Sequence, residues 1–157
     1  MKDVLRDVGV IARALDSIAN IEFKELALTK GQYLYVVRIY ENEGIIPERL
    51  AEMIKVDRTT LSRAIQKLVH NGFVDKQTDQ QNKKIKHLYT TEQGKEAAQF
   101  ILKENRYSND MALKNFSAAE IDVLSELLCK MKANVELDWH SVKSGQKRQY
   151  ERGGSNG

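Results

Sequence analysis

One cysteine, one proline and no long apolar run set the first limits on this 157-residue chain. With Cys129 alone there is no internal disulfide and no cysteine-built zinc cage, which is compatible with a reducing compartment. A single proline leaves few places where a helix must break. No apolar stretch approaches the roughly 20 residues that span a bilayer. The opening "MKDVLRDVGVIARALDS" carries Asp3, Arg6, Asp7 and Arg13 where a signal peptide would need a continuous apolar segment. We therefore expect a cytoplasmic protein with no membrane partner. His70, His87 and His140 lie far apart and follow no metal-ligand spacing, so they are expected to be ordinary surface or wing histidines and no metal is expected. There is no phosphate-cradling glycine loop, nucleophile elbow or carboxylate pair attached to an expected cleft, so neither an enzyme nor a cofactor is expected.

What is present is 41% hydrophobic and 30% charged, the composition of a globular, mostly helical protein. The length suits a single compact unit, or a small domain with dimerising helices. Net charge is +3, and Lys143, Lys147, Arg148 and Arg152 against Glu151 place all of it after residue 140. Inside the neutral remainder, Lys55, Arg58, Arg63, Lys67, Lys76, Lys83, Lys84 and Lys86 face only Asp57, Asp75 and Asp79, a local +5. Such segregation is either a solvated charged face or a footprint for a polyanion, and charge alone does not separate the two.

Along the chain, Val4, Val8, Ile11, Leu15 and Ile18 make a heptad-like stripe that predicts a first helix. Thr29 and Gln32 have capping-box spacing, Leu34 and Val37 begin a buried stripe, and Gly44 ends a second helix running from Lys30 to about Asn42. Pro47 suits the first turn of a short third helix with Leu50, Ala51 and Ile54 inward. After a tight turn at Lys55 and Val56, Asp57 caps a fourth helix whose buried face is Leu61, Ile65 and Leu68 and which Gly72 closes. "FVDKQT" and "IKHLYTT" read as strands around the polar tip "DQQNKK". A long helix starting near Thr91 or Glu92 follows, and "SAAE", Ser117 to Glu120, is a capping box opening a last helix. That helix carries Ile121, Leu124, Leu128, Met131 and Val135. Residues 141–157, polar and without periodicity, are expected to be a disordered basic tail.

A short helix, a turn and a second helix make the helix-turn-helix plan, whose second helix enters the DNA major groove. The hairpin after it would be a wing. Burying Leu61, Ile65 and Leu68 against Leu50, Ile54 and Phe73 turns Arg58, Thr59, Thr60, Ser62, Arg63, Gln66 and Lys67 outward. Arginine can contact guanine, glutamine adenine, and hydroxyls reach phosphates or bases at short range. Lys83, Lys84 and Lys86 on the hairpin would contact phosphate. The fold expected is mainly α with a small β-hairpin wing: a winged helix-turn-helix lobe with N- and C-terminal helices.

From "GIIPERLAEMIKVDRTTLSRAIQKLVHNGFV" through "TDQQNKKIKHLYTTEQG", the chain resembles the MarR/SlyA family of bacterial winged-helix transcriptional regulators. The strongest matches are "VDRTTLSRAIQKL", "GFV" and "TTEQG", and the resemblance extends over nearly all of residues 4 to 138. It implies a MarR-type domain over 1–140, with residues 1–28 and 92–140 as dimerisation helices and 29–91 as the DNA-binding lobe. It also implies a homodimer on a pseudo-palindromic operator in double-stranded DNA, usually as a repressor, modulated by a small phenolic or anionic effector. Val8, Ile11, Leu15, Ile121, Leu124, Leu128 and Met131 would then be dimer contacts. Many family members carry an aspartate followed by arginines at the wing tip. Here Asp79 matches the acid, but Lys83 or Lys84 must serve for arginine, and lysine favours phosphate contact over minor-groove insertion.

Blander readings stand beside these. The last stripe could be the core of a monomeric bundle, Cys129 a small buried hydrophobe, and Tyr33, Tyr35 and Tyr40 helix packing instead of effector contacts. The rival function is a winged-helix protein-interaction module. A catalytic or small-molecule-binding helical protein lacks any cluster of chemical residues.

Overall fold

The computed structural model describes residues 1–28 and 31–150. The order is α1 (Val4–Glu22), a 3-10 turn (Lys24–Leu26), α2 (Gln32–Glu41), α3 (Pro47–Ile54), α4 (Arg58–His70), β1 (Val74–Thr78), β2 (Lys86–Thr90), α5 (Glu92–Ala112) and α6 (Ala118–Lys143). It is mainly helical, with one antiparallel hairpin in which Val74 pairs with Thr90 and Thr78 with Lys86. The chain divides into two compact units, the first Met1–Met111 and the second beginning at Ala112.

The first unit is organised around a single core. Fully enclosed side chains come from the segment after α1 (Phe23, Leu28), α2 (Val36, Val37, Ile39), α3 (Leu50), α4 (Leu61, Ile65, Leu68), the hairpin (Val74, Leu88) and α5 (Ile101). Each large aliphatic so placed contributes about 1.5–3 kcal/mol of transfer free energy. Local chemistry sets the helix ends. Asp57 adopts extended backbone and accepts from the Thr60 N–H at 2.7 Å, starting α4, while Gly72, at φ +83°, turns the chain out of it. Pro47 opens α3, as its fixed φ and missing N–H allow. At the strand-to-helix junction, Thr91 Oγ1 donates to Gly72 O at 2.6 Å and accepts from Gly94 N. A Cβ on Gly94 would collide with the Phe73 carbonyl oxygen, so the "TTEQG" glycine permits a close backbone approach.

In the second unit, Ser117 and Glu120 form the full reciprocal capping box that opens α6. These bonds hold the Glu120 carboxyl below its usual range, the largest effect being its bond with the Ser117 backbone N–H.

Several expectations are corrected. Leu34 is only half-buried, because the core side of α2 is formed by Tyr35, Val36, Val37 and Ile39. α2 runs from Gln32 to Glu41. Its expected start at Lys30 and the Thr29 side of its capping box lie outside the described residues. The last helix continues to Lys143 instead of giving way to tail at 141, and Lys143 Nζ lies over the Trp139 ring. Arg148 then pairs with Asp138 at 2.7 Å. Residues 151–157 of the expected tail lie outside the described residues. Cys129 is exposed instead of buried, since α6 buries no residue within the chain.

Candidate nucleic-acid interface

α4 is held by its inner face. Leu61, Ile65 and Leu68 are buried, Leu50 and Phe73 with them, and Ile54 packs partly buried against the same core. The short α3 reaches α4 through Lys55, which takes the left-handed conformation at φ +66° with its N–H on Ala51 O. This fixes the outward face. Arg58, Thr59, Thr60, Ser62, Arg63, Gln66 and Lys67 are all exposed. Among the described residues, the side chains of Arg63, Gln66 and Lys67 make no ion pair or hydrogen bond with protein. Arg58 is engaged, its guanidinium lying 3.5 Å from Glu48 of α3, with both side chains mostly in solvent. Such a pair is worth little and yields readily to a stronger acceptor.

The wing supplies the second set of cations. Lys83, Lys84 and Lys86 are exposed, and Lys86 Nζ donates to Thr78 Oγ1 at 2.7 Å across the hairpin. A groove of about 280 Å³ brings the two sets together, with Arg58 and Ser62 of α4 on one side and Lys84, Ile85 and Lys86 on the other. Lys83 and the later α4 residues lie outside that groove's lining.

The hairpin is fastened to the lobe by polar bonds. Gly44 N donates to Leu88 O at 2.8 Å and Leu88 N to Ile45 O at 2.9 Å, a one-residue extension of the sheet. Glu43 accepts from both the backbone N–H and the hydroxyl of Thr90. At the tip, Asp79 accepts from the N–H groups of Gln81 and Asn82 and meets His87 Nε2 at 2.8 Å. The other ring nitrogen of His87 lies 2.8 Å from Gly44 O. His87 is thus a wing histidine with both ring nitrogens engaged. No local spacing announces it, because its partner Gly44 is 43 residues away. His70 is exposed at the end of α4, and His140 Nδ1 meets Glu136 O within α6.

The three tyrosines of α2 mostly serve packing. Tyr35 is buried, while Tyr33 and Tyr40 pack against the core from its edge. Tyr33 OH donates to Asp16 at 2.6 Å, and burial, followed by this bond, pushes its phenol well above the usual range.

The residues expected to form dimer contacts lie on α1 and α6. Val8, Ile11 and Leu15 are exposed on α1, with Val4, Leu5 and Ile18 beside them. On α6, Leu128 is exposed and Ile121, Leu124 and Met131 are half-buried. Among the described residues, no group of histidine, cysteine and carboxylate side chains could hold a metal, and no helix is long and apolar enough to cross a membrane.

Comparisons with known proteins converge on one family. The MarR family model matches residues 28–86. The chain is 57% identical over 150 residues to the uncharacterized HTH-type transcriptional regulator YybA of Bacillus subtilis (strain 168), covering 96% of this chain and 100% of that protein. It is also 57% identical to a putative MarR family transcriptional regulator from Listeria monocytogenes, solved in complex with a 26mer DNA. That likeness covers 96% of this chain and 100% of the other, with a TM-score of 0.92. A MarR protein from Peptoclostridium difficile is 41% identical, over 90% of this chain and 92% of its own, with a TM-score of 0.86.

Proposed function

The chain belongs to the MarR family of transcriptional regulators, and on that premise we propose that it is a sequence-specific, homodimeric DNA-binding protein, acting as a repressor on a pseudo-palindromic operator. The observation that carries this reading is the outer face of α4. A stripe of three buried aliphatics holds the helix down while Arg63, Gln66 and Lys67 stay uncommitted to protein partners among the described residues. Arg58, Thr59, Thr60, Ser62 and Arg63, in the N-terminal half of the helix where base edges are met, and Gln66 further along it, are the reading residues. Lys67, Lys83, Lys84 and Lys86 anchor on phosphates. The Listeria relative's complex with a 26mer DNA supports DNA as the partner. α4 offers no aromatic anchor of the kind that docking to a protein uses, which disfavours the protein-interaction reading.

The dimer is built from residues 1–28 and 92–140, with Val8, Ile11, Leu15, Ile121, Leu124, Leu128 and Met131 at its contacts, around the lobe at 29–91. Open apolar side chains on both terminal helices support this, because surfaces of this kind are ordinarily covered by another chain. A small phenolic or anionic ligand that changes the packing of these helices would change the spacing of the two α4 helices, and so DNA affinity.

The test is selection of bound fragments from genomic DNA, followed by footprinting. Two symmetric half-sites about 10 bp apart, centre to centre, are expected. A footprint without two-fold symmetry contradicts the dimeric reading, and loss of the protein leaving the selected genes unchanged in expression contradicts repression.

A further inference from the structure

We propose that His87 is a positioning residue for the wing: its protonated ring clamps the hairpin tip to the loop between α2 and α3, and releases it when the proton is lost. His87 sits on β2 opposite Gln77, half-buried, with both ring nitrogens engaged. Nδ1 faces the Gly44 carbonyl oxygen at 2.8 Å, and Nε2 faces Asp79 Oδ1 at 2.8 Å. A carbonyl oxygen and a carboxylate oxygen both accept, whereas a neutral imidazole has one N–H to give. The second Asp79 oxygen already accepts the N–H groups of Gln81 at 3.0 Å and Asn82 at 2.9 Å, which favours the ionised carboxylate. Only the imidazolium satisfies the whole arrangement.

The proton therefore joins three pieces of chain: the α2–α3 loop at Gly44, strand β2, and the tip loop that carries Lys83 and Lys84. Without it, one of the two contacts sets lone pair against lone pair, and Asp79 Oδ1 or the Gly44 carbonyl loses its donor. Other charged groups on the packed elements are Asp75 and Lys76 on β1, Lys86 on β2, Glu43 in the α2–α3 loop, engaged by Thr90, and Arg49 of α3, which shares a cleft with Gly44. Asp79 is the one whose charge acts on the ring.

The Asp79 bond first, then the Gly44 bond, raise His87 above its ordinary 6.5. The His87 bond first, then the tip N–H groups, lower Asp79 below 3.8. The histidine contribution is thus full below 6.5 and is lost as pH rises through the raised value. The aspartate contribution is present above 3.8 and is lost only as pH falls through the lowered one. The clamp is complete between those limits.

The clamp stands on geometry alone, while its effect on DNA rests on the proposed function. An NMR titration of the full chain reads the first directly. The His87 ring is expected to titrate above 6.5, with the Gln81 and Asn82 amides moving at the same midpoint, and Asp79→Asn should lower that midpoint. A midpoint at or below 6.5 in the wild type, or tip amides that ignore it, overturns the proposal. For the second, affinity for a selected duplex is measured from about pH 6 to about pH 8.5 in wild type and His87→Gln, both of which keep His70. The wild type should weaken about fivefold more than the variant, the lower end of what coupled sites deliver. Parallel pH profiles overturn the coupling to DNA. Absence of duplex binding in both proteins, with the ring titration intact, overturns the DNA reading and leaves the clamp.

Discussion

Helices α4 and α6 carry apolar residues at steps of three and four, yet Leu61, Ile65 and Leu68 of α4 are all buried while α6 buries nothing within its own chain. On α6, Leu128 is 44% exposed and Val135 52%. The period tells which face of a helix will be covered, and it is silent on what covers it. For α4 the cover is local, since α2, α3 and the hairpin follow or precede it within a few tens of residues. For α6, and for α1 with its open Val4, Leu5 and Ile11, the cover proposed is a second copy. The difference separates two kinds of residue by effect: those of α4 should govern whether the lobe folds, and those of α6 whether two chains meet.

The sharpest way to test that division is Leu68→Ala. Removing a fully enclosed side chain from the core should cost about 2–5 kcal/mol in denaturant or thermal unfolding; a loss below about 1 kcal/mol would mean that α4 is not held as described. Leu128→Asp should act on the other side of the comparison. We expect secondary structure to survive, and dimerisation to weaken by about 2 kcal/mol or more, roughly 30-fold. Sedimentation would follow this as a fall from twice the 18.0 kDa chain mass toward the single chain.

Within α4, Arg63→Ala should leave stability almost unchanged and cost about 1–3 kcal/mol of binding to the preferred duplex, relaxing base preference. Lys84→Ala on the wing should weaken all duplexes alike and lower the salt slope by about 1. If both variants lose affinity uniformly, the division into readers and anchors fails. The smallest effect expected is Asp57→Ala, about 1 kcal/mol of stability from the lost N-cap. An unchanged melting temperature would show that solvent replaces the cap.

Much of this was legible in the residues because the signals are local. Asp57 before α4, Ser117 with Glu120 before α6, Pro47 at the first position of α3 and the two strands around "DQQNKK" each act within a few residues. What escaped notice depends on distance in sequence. The bridge between Ile45 and Leu88 is one residue long and leaves no alternation to read. His87 meets Gly44 only because that bridge lays the loop beside β2. A local exception is Lys55: the turn there was expected, but its left-handed conformation is one that residue type would assign to glycine. The ion pair of Arg58 with Glu48 joins two helices, so an arginine expected to be open is partly occupied. The outward face of α4 was inferred by elimination, once three aliphatics at helical spacing had been assigned inward, and the exposure of all seven polar residues follows from that assignment.

The face of α4 held open by this packing is proposed to bind DNA through charge and to read it through Arg63. The most direct test of this is a salt titration of wild type and Arg63→Ala on a selected operator and an unrelated duplex of equal length. The logarithm of affinity should fall linearly with the logarithm of salt for both duplexes, with a preference for the operator that Arg63→Ala reduces. No binding at low salt, or an affinity indifferent to salt, would contradict it.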